Sequence, residues 1–137
     1  MPPSVDADVR VGLATVFVGA AAVLYLLWAG GTTLSGLSGP RALSVAIFGL
    51  GVGGCYTAKS YMETVYGVGG RPRPPLFYVV FVSVLGGVTL VAGVVALASG
   101  GGSALATLTG AMVALWALAT IRHSMSRATR EVFRTTR

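Results

Sequence analysis

Asparagine and glutamine are absent from this chain, and its acidic residues are only Asp6, Asp8, Glu63 and Glu131. There is one histidine, His123, and one cysteine, Cys55. Each scarcity excludes something. A single cysteine cannot form an internal disulfide, so cysteine usage carries no information about the compartment. Cys55 stands in an apolar run, where a thiol stays protonated and is a poor nucleophile. His123 has no carboxylate or thiol close in sequence to complete a nucleophile and base pair. No spacing of His, Cys or acidic ligands suits a metal. The sequence reads as that of a non-enzyme with no cofactor.

Charge is scarce too. Only 10% of the 137 residues are charged while 54% are hydrophobic, against roughly 25% charged in ordinary water-soluble domains. A single small domain leaves too much of its surface exposed to hide such an excess from water. The natural solvent is lipid. Twenty glycines agree with that assignment, because membrane helices carry more glycine than soluble ones.

A helix needs about 20 mostly apolar residues to cross roughly 30 Å of hydrocarbon at about 1.5 Å per residue. Four stretches qualify, at 11–29, 42–60, 76–98 and 104–121. Polar residues do not alternate along them with a period of two, which excludes a β-barrel. The first stretch reads as a span and not a cleaved signal, since its apolar run is long and the preceding "SVDAD" is acidic. The expected fold is therefore an all-α, four-helix transmembrane bundle. A short N-terminus, residues 1–10, precedes it and a basic tail, residues 122–137, follows.

Between the spans, Pro40 suits the first turn of the second helix. Pro72, Pro74 and Pro75 favour an extended entry to the third. "SGGGS" at 99–103 is a tight turn that makes the last two spans antiparallel neighbours. "TAKSYM" at 57–62 and "TIRHSM" at 120–125 close the second and fourth spans alike, as a duplicated hairpin would.

With four spans, both termini and the central loop share one side. That side holds Arg10, Lys59, Arg71, Arg73, Arg122, Arg127, Arg130, Arg134 and Arg137, whereas the other holds only Arg41. Basic residues are retained in the cytoplasm, so the expected orientation has both termini inside. Tyr25 and Trp28 then lie near the outer boundary, and Tyr56, Tyr61, Tyr66, Phe77 and Tyr78 near the inner one, where amphipathic rings anchor spans.

Residues 49–54, "GLGVGG", satisfy the G-x-G-x-x-G pattern of dinucleotide sites. That fingerprint needs a strand before it and a helix opening at it, but here it falls inside an apolar helix. Packing explains it better, since small residues let membrane helices approach closely. The candidate packing positions are Gly49 and Gly53, Ser83 and Gly87, and Ala106, Gly110 and Ala114. Four glycines in six residues also lower the helix propensity of the second span. A broken helix there is the feature a transport reading would require. Against transport, no ionisable residue lies at the middle of any span, where such groups mark ion and substrate paths.

Arg127, Arg130, Arg134 and Arg137 recur three or four residues apart, so a helical tail aligns them on one face. Met125, Ala128 and Val132 occupy another. The tail retains the C-terminus inside, and with Arg122, Lys59, Arg71 and Arg73 it offers a surface to anionic lipid headgroups or a protein partner. Nucleic acid would use the same arginines, but no fold or aromatic platform adds specificity.

In size and span number the chain resembles the small multi-span internal envelope proteins of pleomorphic archaeal viruses, which present a charged face to the virion interior. That resemblance implies an envelope role facing the virion interior. From the residues alone the expectation is a small structural or accessory protein of a prokaryotic cytoplasmic membrane, or of an envelope derived from one. A small oligomeric transporter or channel is the alternative. Partners are expected through small-residue helix faces, either as self-association or with another protein.

Overall fold

The computed structural model describes residues 3–32, 34–37, 39–57 and 74–136. Most of the described residues are helical, and no strand occurs among them. Helix α1 spans Pro3–Ala29, α2 Pro40–Thr57, α3 Leu76–Ser99 and α4 Gly102–Thr135. Three are long and apolar enough to cross a membrane, over Val9–Ala29, Leu76–Ser99 and Gly102–Thr135. The apolar stretch of α2, Pro40–Gly54, is shorter. Residues 58–60 of the expected second span, and Lys59, Glu63, Arg71, Arg73 and Arg137, lie outside the described residues.

Two boundaries differ from the sequence reading. Helix α1 starts at Pro3, so most of the expected N-terminal segment is already helical. Helix α4 continues without a break through residues 122–135, so the basic tail is an extension of the last apolar helix. Apolarity locates the lipid-soluble part of a helix. The helix itself ends only where a breaker or a lost hydrogen-bond partner ends it, and no glycine or proline occurs between Met112 and Thr136.

The turns follow local chemistry. After α1, Thr32 N–H donates to the Leu27 carbonyl and Gly31 N–H to that of Trp28, each at 3.0 Å. This is a Schellman closure with Gly31 at φ +79°. Helix α2 opens at Pro40, where a missing N–H costs nothing, and Leu43 N–H donates to the Gly39 carbonyl. Helix α3 follows Pro75 and closes at Gly100, whose φ of +66° is left-handed and whose N–H reaches the Ala96 carbonyl at 2.9 Å. The Ser99 hydroxyl accepts from Gly101 N–H at 3.1 Å, tightening the turn into α4.

Helices α1 and α2 pack closely, as do α3 and α4. The two hairpins join mainly through α1 on α4 and, less extensively, α2 on α3. Thr15 near the middle of α1 meets Trp116 near the middle of α4, while Gly102 at the start of α4 abuts Trp28 at the end of α1. Neighbours therefore run antiparallel. At the centre Leu43, Ile47, Leu105, Leu108 and Met112 are buried with Ala21 and Ala92. Their spacings of three and four place them on single helix faces. Around this narrow core the outside is apolar as well: Val16, Val23, Leu26, Val84, Leu90, Val91 and Val94 are all more than half exposed. Water-soluble proteins do not carry so continuous an apolar exterior, and a bilayer is the solvent that suits it.

Hydroxyls inside the helices turn back on their own backbone. Thr15 donates to the Val11 carbonyl, Ser44 to Pro40, Thr89 to Leu85 and Thr109 to Leu105, at 2.8 to 3.0 Å. This satisfies the hydroxyl without water.

Candidate functional site

Antiparallel packing gathers the start of α1, the end of α2, the start of α3 and the end of α4 at one end of the bundle. Arg10 stands there on α1, exposed. Arg122 lies on α4 where the apolar run stops, its guanidinium 4.5 Å from the centroid of the Tyr78 ring on α3. Such a contact is worth about 0.5–1 kcal/mol at an exposed site, and it fixes the first basic residue of α4 against its hairpin partner. Arg127 and Arg134 follow on exposed turns of the same helix, and the helical register carries position 130 to their face. Lys59, Arg71 and Arg73, expected at this end, lie outside the described residues, as does Arg137.

Among the described residues the opposite end has one arginine, and it is engaged. Arg41 Nη2 donates to the Ala98 carbonyl at 3.4 Å, and its Cγ lies 3.4 Å from where a Cβ on Gly100 would stand. A cation here meets the unsatisfied carbonyls and negative dipole end of α3. Charge counting could see Arg41 only as the exception to an asymmetry. Its structural task depends on α2 and α3 meeting at that end.

The predicted packing positions divide. Gly53 faces α1, and a Cβ there would meet the Phe17 ring at 3.4 Å. Gly49, Gly87 and Gly110 have no neighbour within 4 Å of the Cβ position. Ser83 is exposed, while Ala106 and Ala114 are half-buried. The glycine run of α2 is continuous helix, with Gly51 opposite Met112 and Gly54 opposite the Phe17 Cβ. It has neither the strand nor the helix opening that a dinucleotide site needs.

Sequence reasoning missed the closest approach. A Cβ on Gly93 would lie 2.5 and 2.6 Å from two carbons of the Phe48 ring, so α2 and α3 meet on that glycine. The signal available was the small set Ala92, Gly93 and Ala96, all buried. It also missed the polar link between the hairpins: Trp116 Nε1 donates to Thr15 Oγ1 at 2.9 Å. One groove, about 550 Å³, opens on the flank between α3 and α4 and is lined chiefly by Gly87, Val88, Val91, Val95, Ala104 and Thr107. It does not run along the bundle axis, which the buried leucines fill.

Taken together, the chain is an all-helical protein with apolar helices of membrane-spanning length. Comparison with protein-family models, curated proteins and solved structures finds no match for it.

Proposed function

We propose that this protein is a small polytopic membrane protein with a structural or accessory role. In this reading it crosses the bilayer four times with both termini in the cytoplasm, or in a virion interior, and presents a basic surface there. The observation that carries the reading is the polarity of the molecule. Arg10, Arg122, Arg127 and Arg134 stand at one end, while Arg41 at the other is taken up by a helix terminus. Anionic headgroups suit the basic end, at about 1 kcal/mol per basic residue near the surface.

A closed interior favours an accessory role over transport by a single copy. Leu43, Ile47, Leu105 and Leu108 fill the centre with essentially no exposed surface, and the charged groups of the described residues stand outside it. The internal envelope role implied by the resemblance noted above uses the same architecture, with α4 pointing into the virion.

The test is biochemical. An accessory subunit extracted from its native membrane in mild detergent co-purifies with its partner in a fixed ratio. A virion protein is instead recovered in particles with its basic end protected from added protease. Solute or ion flux through proteoliposomes containing only this chain would sink both readings.

A further inference from the structure

Arg41 and Arg122 meet opposite ends of α3. Arg41 lies at its C-terminal end, where the guanidinium donates to the Ala98 carbonyl and faces the negative end of the helix dipole. Arg122 stacks on Tyr78, in the first turn of the same helix. That turn has no acidic residue, and its N-cap, Pro75, makes no side-chain hydrogen bond. A helix start is positive, and its first N–H groups lack intrahelical acceptors. Arg122 therefore receives no counter-charge from the helix it touches. Neither α3 nor residues 102–130 of α4 contain an acid to supply one.

The hydrogen-bonding capacity of this pair is also unused. The Arg122 guanidinium carbon stands 4.5 Å from the Tyr78 centroid, a contact made through the ring face. The five N–H groups lie in the guanidinium plane, so the contact consumes none of them. Among the described residues no oxygen accepts from them, and none pairs with the Tyr78 hydroxyl. Arg122 is only partly exposed, unlike Arg127 and Arg134. Water solvates it less fully than it does those two. The surroundings are amphipathic. Arg122 follows directly on Ile121, where the apolar run of α4 stops. Beside Tyr78, Leu76, Phe77 and Phe81 are exposed, and the rings of Phe77 and Phe81 stack at 6.2 Å.

We propose that Arg122 and Tyr78 bind the phosphate of an anionic phospholipid, whose chains lie over Phe77 and Phe81. The proposal rests on the reading that this end of the bundle lies at the inner headgroups. The in-plane N–H groups of Arg122 suit two phosphate oxygens at once, and the Tyr78 hydroxyl donates to the same group. The bound charge offsets both the guanidinium and the positive start of α3. A zwitterionic headgroup suits the site less, because its ammonium finds no acid on either helix nearby. Free phosphate presents the same oxygens but lacks the chains that would cover the exposed rings.

The experiment titrates the full chain in detergent with phosphatidylglycerol, phosphatidylcholine or inorganic phosphate, and native mass spectrometry counts the adducts. One phosphatidylglycerol is expected to bind more tightly than phosphatidylcholine. Arg122→Gln is expected to weaken it by about tenfold or more, the effect of losing hydrogen bonds to a charged group. Tyr78→Phe keeps the ring under the guanidinium and removes the hydroxyl, for an expected loss of about threefold. Arg134→Gln removes the same charge about 18 Å further along α4, beyond the roughly 8 Å screening length of physiological salt. Its expected effect is below about twofold. Equal weakening by Arg122→Gln and Arg134→Gln overturns the site, and so does equal binding of phosphatidylcholine. Displacement of the lipid by millimolar inorganic phosphate overturns the lipid assignment and gives the site to the free anion. Where Arg122→Gln alters the circular dichroism spectrum, Tyr78→Phe decides, and unchanged phosphatidylglycerol binding in it overturns the site. Labelling of Arg134→Cys, in a Cys55→Ser background, by an impermeant maleimide from the inner side of vesicles tests the spanning reading separately. Its failure overturns both, whereas labelling with unaltered lipid binding in Arg122→Gln overturns the site alone.

Discussion

Two residue-scale features carry specificity in a molecule that is otherwise uniformly apolar. The Trp116 indole donates to Thr15 while Thr15 donates to its own helix, so one hydroxyl joins the two hairpins without an unsatisfied group. Trp116→Phe keeps an aromatic ring and removes the donor. Its expected cost from the lost bond is about 0.6 kcal/mol and at most about 1.7, the range of such bonds inside membranes. Denaturation in mixed micelles followed by circular dichroism reads it, and a loss near zero would mean that the bond is exchanged for another. Gly93 is the second feature. Gly93→Ala forces a methyl onto the Phe48 ring and is expected to destabilise by about 1–3 kcal/mol. Gly87→Ala, into open space, should be neutral or gain up to about 1 kcal/mol from helix propensity. Equal effects at the two glycines would contradict the packing.

At the scale of the element, the helix ends explain the distribution of charge. Arg41 lies against the last turn of α3, where a cation is worth about 0.3–1 kcal/mol. Arg41→Gln is expected to speed amide exchange locally at residues 99–101 by up to roughly fivefold, following that energy, and to leave the core amides of α3 unchanged. Uniform acceleration along α3 would mean that Arg41 supports the whole hairpin. Helix α4 shows the complementary case, in which no breaker interrupts the passage from apolar to basic sequence. Lipid solubility and helicity therefore end at different residues, Ile121 and Thr135. Only the first of these was legible as a boundary, since apolarity reports the solvent and helix geometry reports the backbone.

For the whole molecule, the basic end sets the expected orientation. Cysteines at positions 38 and 126 should react with an impermeant maleimide from opposite sides, 38 from outside and 126 from within. Reaction of both from one side would remove the four-span reading. The closed centre built by Leu43, Ile47, Leu105 and Leu108 belongs to this scale too. In the proposed accessory role, partners would meet the chain on its flanks or at its basic end.

The amino-acid sequence by itself determined that the chain forms apolar helices, where the described turns fall, and that its arginines concentrate beyond the last apolar run. These depend on local quantities: transfer into lipid, the missing N–H of Pro40, the left-handed backbone of Gly100 and a count of charges. Only the tertiary structure decided which small residues touch a neighbour. Gly49, Gly87 and Gly110 look as suitable for packing as Gly53 and Gly93, yet they face open space. The reason is the solvent. Inside a bilayer the core and the surroundings are both apolar, so the two faces of a helix carry no contrasting pattern. In the proposed spanning arrangement α4 emerges into water beyond Ile121, where the contrast would return and the spacing of Ile121, Met125, Ala128 and Val132 becomes legible.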